Sequence, residues 1–180
     1  MDEAFVQAFI KFLQDPSPEN FLALRAMVIA APEYEPYATD HLALAELCKK
    51  EHWEAARQLF QDMMPSYLIT ANVHYTLSFV AKKQGDEQTA KMEADIGSLL
   101  LRAQRKSGDG TQAAPYLVTR TDEEYDLLTV LGKKFKSQRL VEAPDRVCDV
   151  LLCEDGSEVW FDVTAPYRKL RGSMESNPKN

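Results

Sequence analysis

Three carboxylates near the end of the chain come closest to chemistry by type and spacing. Asp149 lies in the strand-like run 146–154, and Glu158 and Asp162 lie in the run 157–164, with Asp155-Gly156 between them. Asp-Gly flanked by alternating apolar residues signals a two-residue hairpin turn. That turn sets Leu152 opposite Val159, Val150 opposite Phe161 and Asp149 opposite Asp162. Like charges directly across a sheet repel. This register therefore calls for a bound cation, a carboxyl that keeps its proton, or a neutralising Lys136 or Arg139 from the preceding strand. With Glu158 beside them, the two aspartates could hold a hard divalent metal or divide acid and base roles. The commoner condition of two aspartates on an exposed sheet face is plain solvation.

Other catalytic patterns are missing. Gly108-Asp109-Gly110 lacks the lysine and hydroxyl residue of a phosphate-binding loop and does not follow a strand. No Cys-x-x-Cys or His-x-x-x-His occurs, so neither a structural zinc nor any other cofactor is expected. Cys148 and Cys153 are separated by an odd spacing and point to opposite faces of a strand, a poor geometry for a disulfide. With Cys48 they read as reduced thiols of a cytoplasmic protein. His41, His52 and His74 fall in the helical half, so a Cys–His nucleophile would need a contact between domains. Trp160, on the sheet face away from the apolar one, is either covered by the helices or an exposed binding anchor.

Several elements must position these residues. Val6, Phe9, Ile10 and Leu13 recur at helical spacing in a first amphipathic helix. Ser17-Pro18-Glu19 opens a second helix, with proline at its first position. Glu33 to Tyr37 is an extended, proline-spaced linker. Two helical hairpins follow. In the second, Leu77, Ala81, Gly85-Asp86, Ala90 and Ala94 resemble a tetratricopeptide repeat; in the first, Leu47, Trp53, Ala56, Phe60 and Pro65 match more loosely, and the turn Lys50-Glu51-His52 lacks glycine. This resemblance covers roughly residues 38–104 and implies a concave peptide-binding face lined by His41, Lys49, Tyr75, Phe79, Lys82 and Lys83. The residues alone equally describe a helical bundle with Tyr75 and Phe79 in its core.

Beyond Gly108-Asp109-Gly110 the pattern changes. The segment 115–119 is a short strand, and Thr121-Asp122-Glu123-Glu124 has capping-box spacing before a helix bearing Tyr125, Leu128 and Leu131, closed by Gly132. Strands over 134–142, 146–154 and 157–164 follow. The cassette Gly108-Asp109-Gly110-Thr111, Ala114-Pro115-Tyr116, Thr121-Asp122-Glu123-Glu124-Tyr125 and Trp160-Phe161-Asp162-Val163 resembles a bacterial family known as domain of unknown function 4919. That resemblance covers about the last third of the chain and implies a small α/β domain, often attached to helical repeats, with no agreed activity.

The expected fold is α+β. Residues 1–106 form helical hairpins, 107–167 a small domain with one helix and a three- or four-stranded, mainly antiparallel sheet, and 168–180 a flexible tail. The 180 residues carry a formal charge of −7. This acidity argues against nucleic-acid binding, which needs a basic surface. No run of apolar residues is long enough for a membrane span, and the start Met-Asp-Glu lacks a basic secretory leader. These features together point to a non-catalytic protein-binding module with a basic partner, such as an immunity protein, chaperone or adaptor. A metal-assisted hydrolase is the competing class.

Overall fold

The computed structural model describes residues 3–176 and has a mixed α+β architecture. It divides into two compact units. One comprises Met1–Tyr34 and Ala38–Ala103; the other comprises Glu35–Tyr37 and Gln104–Asn180. The break in the chain thus falls slightly before the expected 106/107 boundary, and part of the proline-spaced linker belongs with the C-terminal residues.

The first unit is built from α1 (Glu3–Gln14), α2 (Pro18–Ala30), α3 (Asp40–Lys49), α4 (Trp53–Asp62), α5 (Ala71–Lys83) and α6 (Glu87–Arg105), whose last residues pass into the second unit. Ser17 starts α2 as expected, its hydroxyl accepting the Asn20 N–H at 3.4 Å. Phe12, Phe21, Leu24 and Val28 bury against Ile96 and Leu100 of α6 in one cluster, while Leu44, Ala56, Tyr67, Leu77 and Val80 form another. Each large apolar side chain fully buried in this way contributes roughly 2 kcal/mol. The α5–α6 pair closes on small residues: Ala81 and Ala90 are buried, and a side chain added at Gly97 would stand 3.0 Å from the Tyr75 ring.

Both middle hairpins turn in the same way. After α5, Gly85 takes φ +77°, with Asp86 N–H bonded to Ala81 O at 2.9 Å and Gly85 N–H to Lys82 O at 3.1 Å. After α3, Glu51 takes φ 56°, with His52 N–H bonded to Leu47 O at 2.9 Å and Glu51 N–H to Cys48 O at 3.1 Å. These are paired Schellman closures. The glycine missing from the first turn is replaced by a glutamate held in the left-handed region, at a cost of about 1 kcal/mol.

The second unit contains β1 (Tyr116–Leu117), α7 (Asp122–Val130), β2 (Phe135–Glu142), β3 (Val147–Cys153), β4 (Glu158–Asp162) and α8 (Thr164–Ser176). Its strand order is β1-β4-β3-β2. The β2–β3 and β3–β4 pairs are antiparallel, but β1 runs parallel to β4, so the sheet is mixed where a mainly antiparallel one was expected. The Gly108 cassette explains how β1 reaches that edge. A Cβ at Gly108 would lie 2.3 Å from Pro115 O, and one at Gly110 2.7 Å from the Tyr116 ring. The N–H groups of Asp109 and Gly110 both reach Ala114 O, and Gly110 O accepts the Trp160 N–H at 2.9 Å. The loop is folded tightly on itself and pinned to β4, which only small residues permit.

Two further expectations need correction. The β3–β4 turn is one residue longer than Asp-Gly spacing implied: Cys153 N–H bonds to Ser157 O, and the loop residue with positive φ is Gly156, at +84°. This is a three-residue loop ending in a left-handed glycine, not a two-residue turn. The observed register pairs Leu151 with Val159, Asp149 with Phe161 and Cys148 with Asp162. The expected tail from Arg168 is also largely helical. Asp162 accepts the Thr164 N–H at 2.9 Å, and Pro166 sits in the first turn of α8, where its missing N–H costs nothing. Residues 177–180 of that tail lie outside the described residues.

Candidate functional site

The corrected register dismantles the aspartate pair. A slip of one residue moves every side chain to the other face, so Asp149 lies with Leu151, Val159 and Phe161, while Glu158, Trp160 and Asp162 lie on the opposite face. The three carboxylates have separate engagements. Arg139 Nη2 donates to both oxygens of Glu158 at 3.0 Å, and its guanidinium stacks 5.4 Å from the Trp160 ring centroid. Asp162 caps Thr164. Asp149 accepts from Gln138 Nε2 at 2.8 Å. Among the described residues no group of three or more His, Cys, Asp or Glu side chains is arranged to hold a metal ion.

The side chain that Asp149 meets is Glu124, whose spacing from Thr121 predicts a helix-capping role. Thr121 has helical backbone angles and makes no side-chain cap bond. Glu123 instead reaches back, accepting from Thr119 N–H at 2.8 Å, Thr119 Oγ1 at 2.9 Å and Gln104 Nε2 at 3.0 Å. This frees Glu124, whose residue is 0 % exposed and whose oxygens receive no protein donor. It turns onto the buried face of the sheet beside Asp149, itself 5 % exposed. Burial, then the charge of Asp149, pushes the Glu124 carboxyl up to about 9. Glu124 therefore keeps its proton at neutral pH and donates it to Asp149. Burial also raises Asp149, opposed by the hydrogen bonds from Gln138 and Glu124. The network continues outward as Tyr125 OH donates to Gln138 Oε1 at 3.1 Å. Burial and the two carboxyls raise Tyr37 of the same unit. Two carboxyls sharing one proton have the electrostatics of an acid–base dyad.

A sequence signal for Glu124 existed. It stands on the same helical stripe as Leu128 and Leu131, a core position. The buried residues of α7 are Glu123, Glu124, Leu127 and Leu128, whereas Tyr125, expected inward, is 41 % exposed.

On the helical unit the expected peptide-binding residues divide. Phe79 is 47 % exposed, packed edge-on to Trp53 with ring centroids 5.9 Å apart, and Lys83 Nζ stands 5.4 Å from its ring centroid. Lys82 is exposed on the same helix. Tyr75 is drawn into the α5–α6 seam, its hydroxyl 3.2 Å from Ser98 Oγ. Lys49 pairs with Glu46 at 2.5 Å, and His41 packs 6.2 Å from the Tyr67 ring. The structure thus gathers Phe79, Lys82 and Lys83, adds Trp53, and gives Tyr75, His41 and Lys49 contacts of their own.

His74 is a buried, satisfied histidine. Its Nε2 lies 2.9 Å from Leu68 O, and Nδ1 lies 2.7 Å from Glu93 Oε2. Since a carbonyl only accepts, Nε2 donates to Leu68 O, and Nδ1 faces the Glu93 carboxyl. The three cysteines are free thiols. No helix among the described residues is long and apolar enough to cross a membrane.

Comparison of the chain with protein-family models, curated proteins and solved structures returns no match. The class defined by fold and site is therefore that of a helical-hairpin unit joined to a small α+β unit.

Proposed function

We propose that this chain is a non-catalytic protein-binding module, an adaptor, chaperone or immunity protein, with its recognition surface on α5 of the helical unit. The observation that carries the reading is Phe79: a large aromatic nearly half exposed, braced by Trp53 and flanked by Lys82 and Lys83. Exposed aromatics held rigidly by neighbours lose little entropy on docking and make effective anchors. The overall charge of −7 steers a basic partner toward the chain. The two lysines select, at the point of contact, a carboxylate beside an apolar anchor. The alternative of a metal-assisted hydrolase on Asp149, Glu158 and Asp162 draws no support from a register that puts Asp149 on the face opposite the other two.

The test is photo-crosslinking of the full chain in its native cells, with the reactive residue at position 79 or, as control, at the exposed Gln112. The surface assignment expects a discrete adduct from position 79 alone, lost when Lys82→Glu and Lys83→Glu are added. Equal adducts from both positions, or none from 79, would sink it.

A further inference from the structure

The β2–β3 turn and α8 of the second unit enclose a cleft of about 410 Å³ that neither the sequence motifs nor the proposed binding surface involves. Three guanidinium-bearing residues line it: Arg146 from the turn, and Arg168 and Arg171 from α8. Elsewhere in this unit Lys133, Arg139 and Lys169 each reach a carboxylate. Among the described residues no ion pair joins Arg146, Arg168 or Arg171 to an acid.

The cleft contains two acids, and both bear on what it accepts. Glu142 is occupied by the Tyr167 hydroxyl, which donates to its Oε1 at 2.9 Å, with the Arg171 charge acting on the same hydroxyl. Asp145 sits in the turn, exposed. Three guanidinium charges therefore exceed the local carboxylates by one. A monocarboxylate offers two oxygens and is satisfied by a single bidentate arginine, whereas a phosphate monoester offers three terminal oxygens and about two charges, the match for several guanidinium forks. The cleft is much larger than a bare phosphate and falls in the range of small-molecule sites. Pro144, Val147 and Tyr167 give it an apolar wall.

We propose that this cleft binds a phosphate monoester, with Arg146, Arg168 and Arg171 holding the phosphate and Tyr167 and Pro144 covering its organic body.

Calorimetric titration of the full chain in low-salt buffer at neutral pH tests this with two probes, inorganic phosphate and phenyl phosphate. Saturable one-site binding is expected, tighter for phenyl phosphate, and weakened as sodium chloride rises. The double variant Arg168→Ala/Arg171→Ala weakens it at least tenfold, and Arg146→Gln weakens it separately. Lys136→Ala, which removes an exposed charge outside the cleft, leaves affinity within twofold. Tighter binding of inorganic phosphate would overturn the monoester assignment. Absence of saturable binding by either probe, or equal weakening by Lys136→Ala, would overturn the site itself.

Discussion

Replacing Glu124 with glutamine separates the buried carboxyl pair from every other contribution to the second unit. In the folded chain the Glu124 carboxyl is pushed up to about 9, first by burial and then by Asp149, whereas in the unfolded chain it titrates at an ordinary value near 4.5. Below that value both states hold the proton and Glu124 contributes no pH dependence. As pH rises, the unfolded chain releases its proton and the folded chain does not, so stability falls by up to about 1.4 kcal/mol per unit. Across pH 5 to 8 the ceiling is about 4 kcal/mol. Proton sharing with Asp149 and local relaxation bring the expected loss to roughly 2 kcal/mol. Glutamine still donates to Asp149 but does not titrate. Glu124→Gln should therefore match the parent within about 0.5 kcal/mol at pH 5 and exceed it by roughly 2 kcal/mol at pH 8. The raised Asp149 keeps a smaller slope of the same sign in the variant, while Tyr37 and Tyr125, both raised from 10, ionise above this window. The chain has two tryptophans, Trp53 in the first unit and Trp160 in the second. Urea unfolding followed by fluorescence in a Trp53→Phe background thus reports the second unit alone. An advantage of equal size at both pH values, or a variant weaker than the parent at pH 8, would refute the shared proton.

Two further predictions concern the helical unit and are read with Trp53 as reporter in a Trp160→Phe background. His74→Ala strands Glu93, 7 % exposed, without its partner and should cost about 3 kcal/mol; a loss under about 1 kcal/mol would mean water replaces the imidazole. Glu51→Gly should raise stability by about 0.5–1 kcal/mol by relieving the left-handed turn, whereas Gly85→Ala should lower it by about 1 kcal/mol, and identical signs would contradict the equivalence of the two turns.

Much of the architecture was legible because local chemistry and tertiary packing agree. Ser17-Pro18 starts a helix where it should, Ala81 and Ala90 are buried where two helices meet, and Gly85 turns the second hairpin. Sequence and structure part where one short signal admits two geometries. Asp155-Gly156 fits both a two-residue turn and a three-residue loop with a left-handed glycine, and that single residue moved Asp149 from beside Asp162 to beneath Glu124. Thr121 and Glu124 have capping-box spacing, but Glu123 satisfies Thr119 instead, so the glutamate with a free choice went inward. No local pattern discloses β1, two residues long, as a parallel edge, because its partner lies more than forty positions downstream. The helical character of 164–176 was hidden by a basic composition that resembles a solvated tail.

The hydrogen bond from Arg120 Nη1 to Glu35 O, at 2.9 Å, joins residues 85 positions apart. Arg120 is 1 % exposed, and Lys169 also pairs with Glu35, at 3.3 Å. The second unit is therefore a discontinuous domain, and the chain from Ala38 to Ala103 is, in topological terms, an insertion within it. During synthesis its earliest segment must wait, unpaired, until the whole insertion has left the ribosome, and closure over so long a separation is intrinsically slow. A fragment starting at Gln104 would leave a buried guanidinium short of one of its acceptors. Dissection of this protein into independently folding halves must carry Glu35–Tyr37 along with the C-terminal piece.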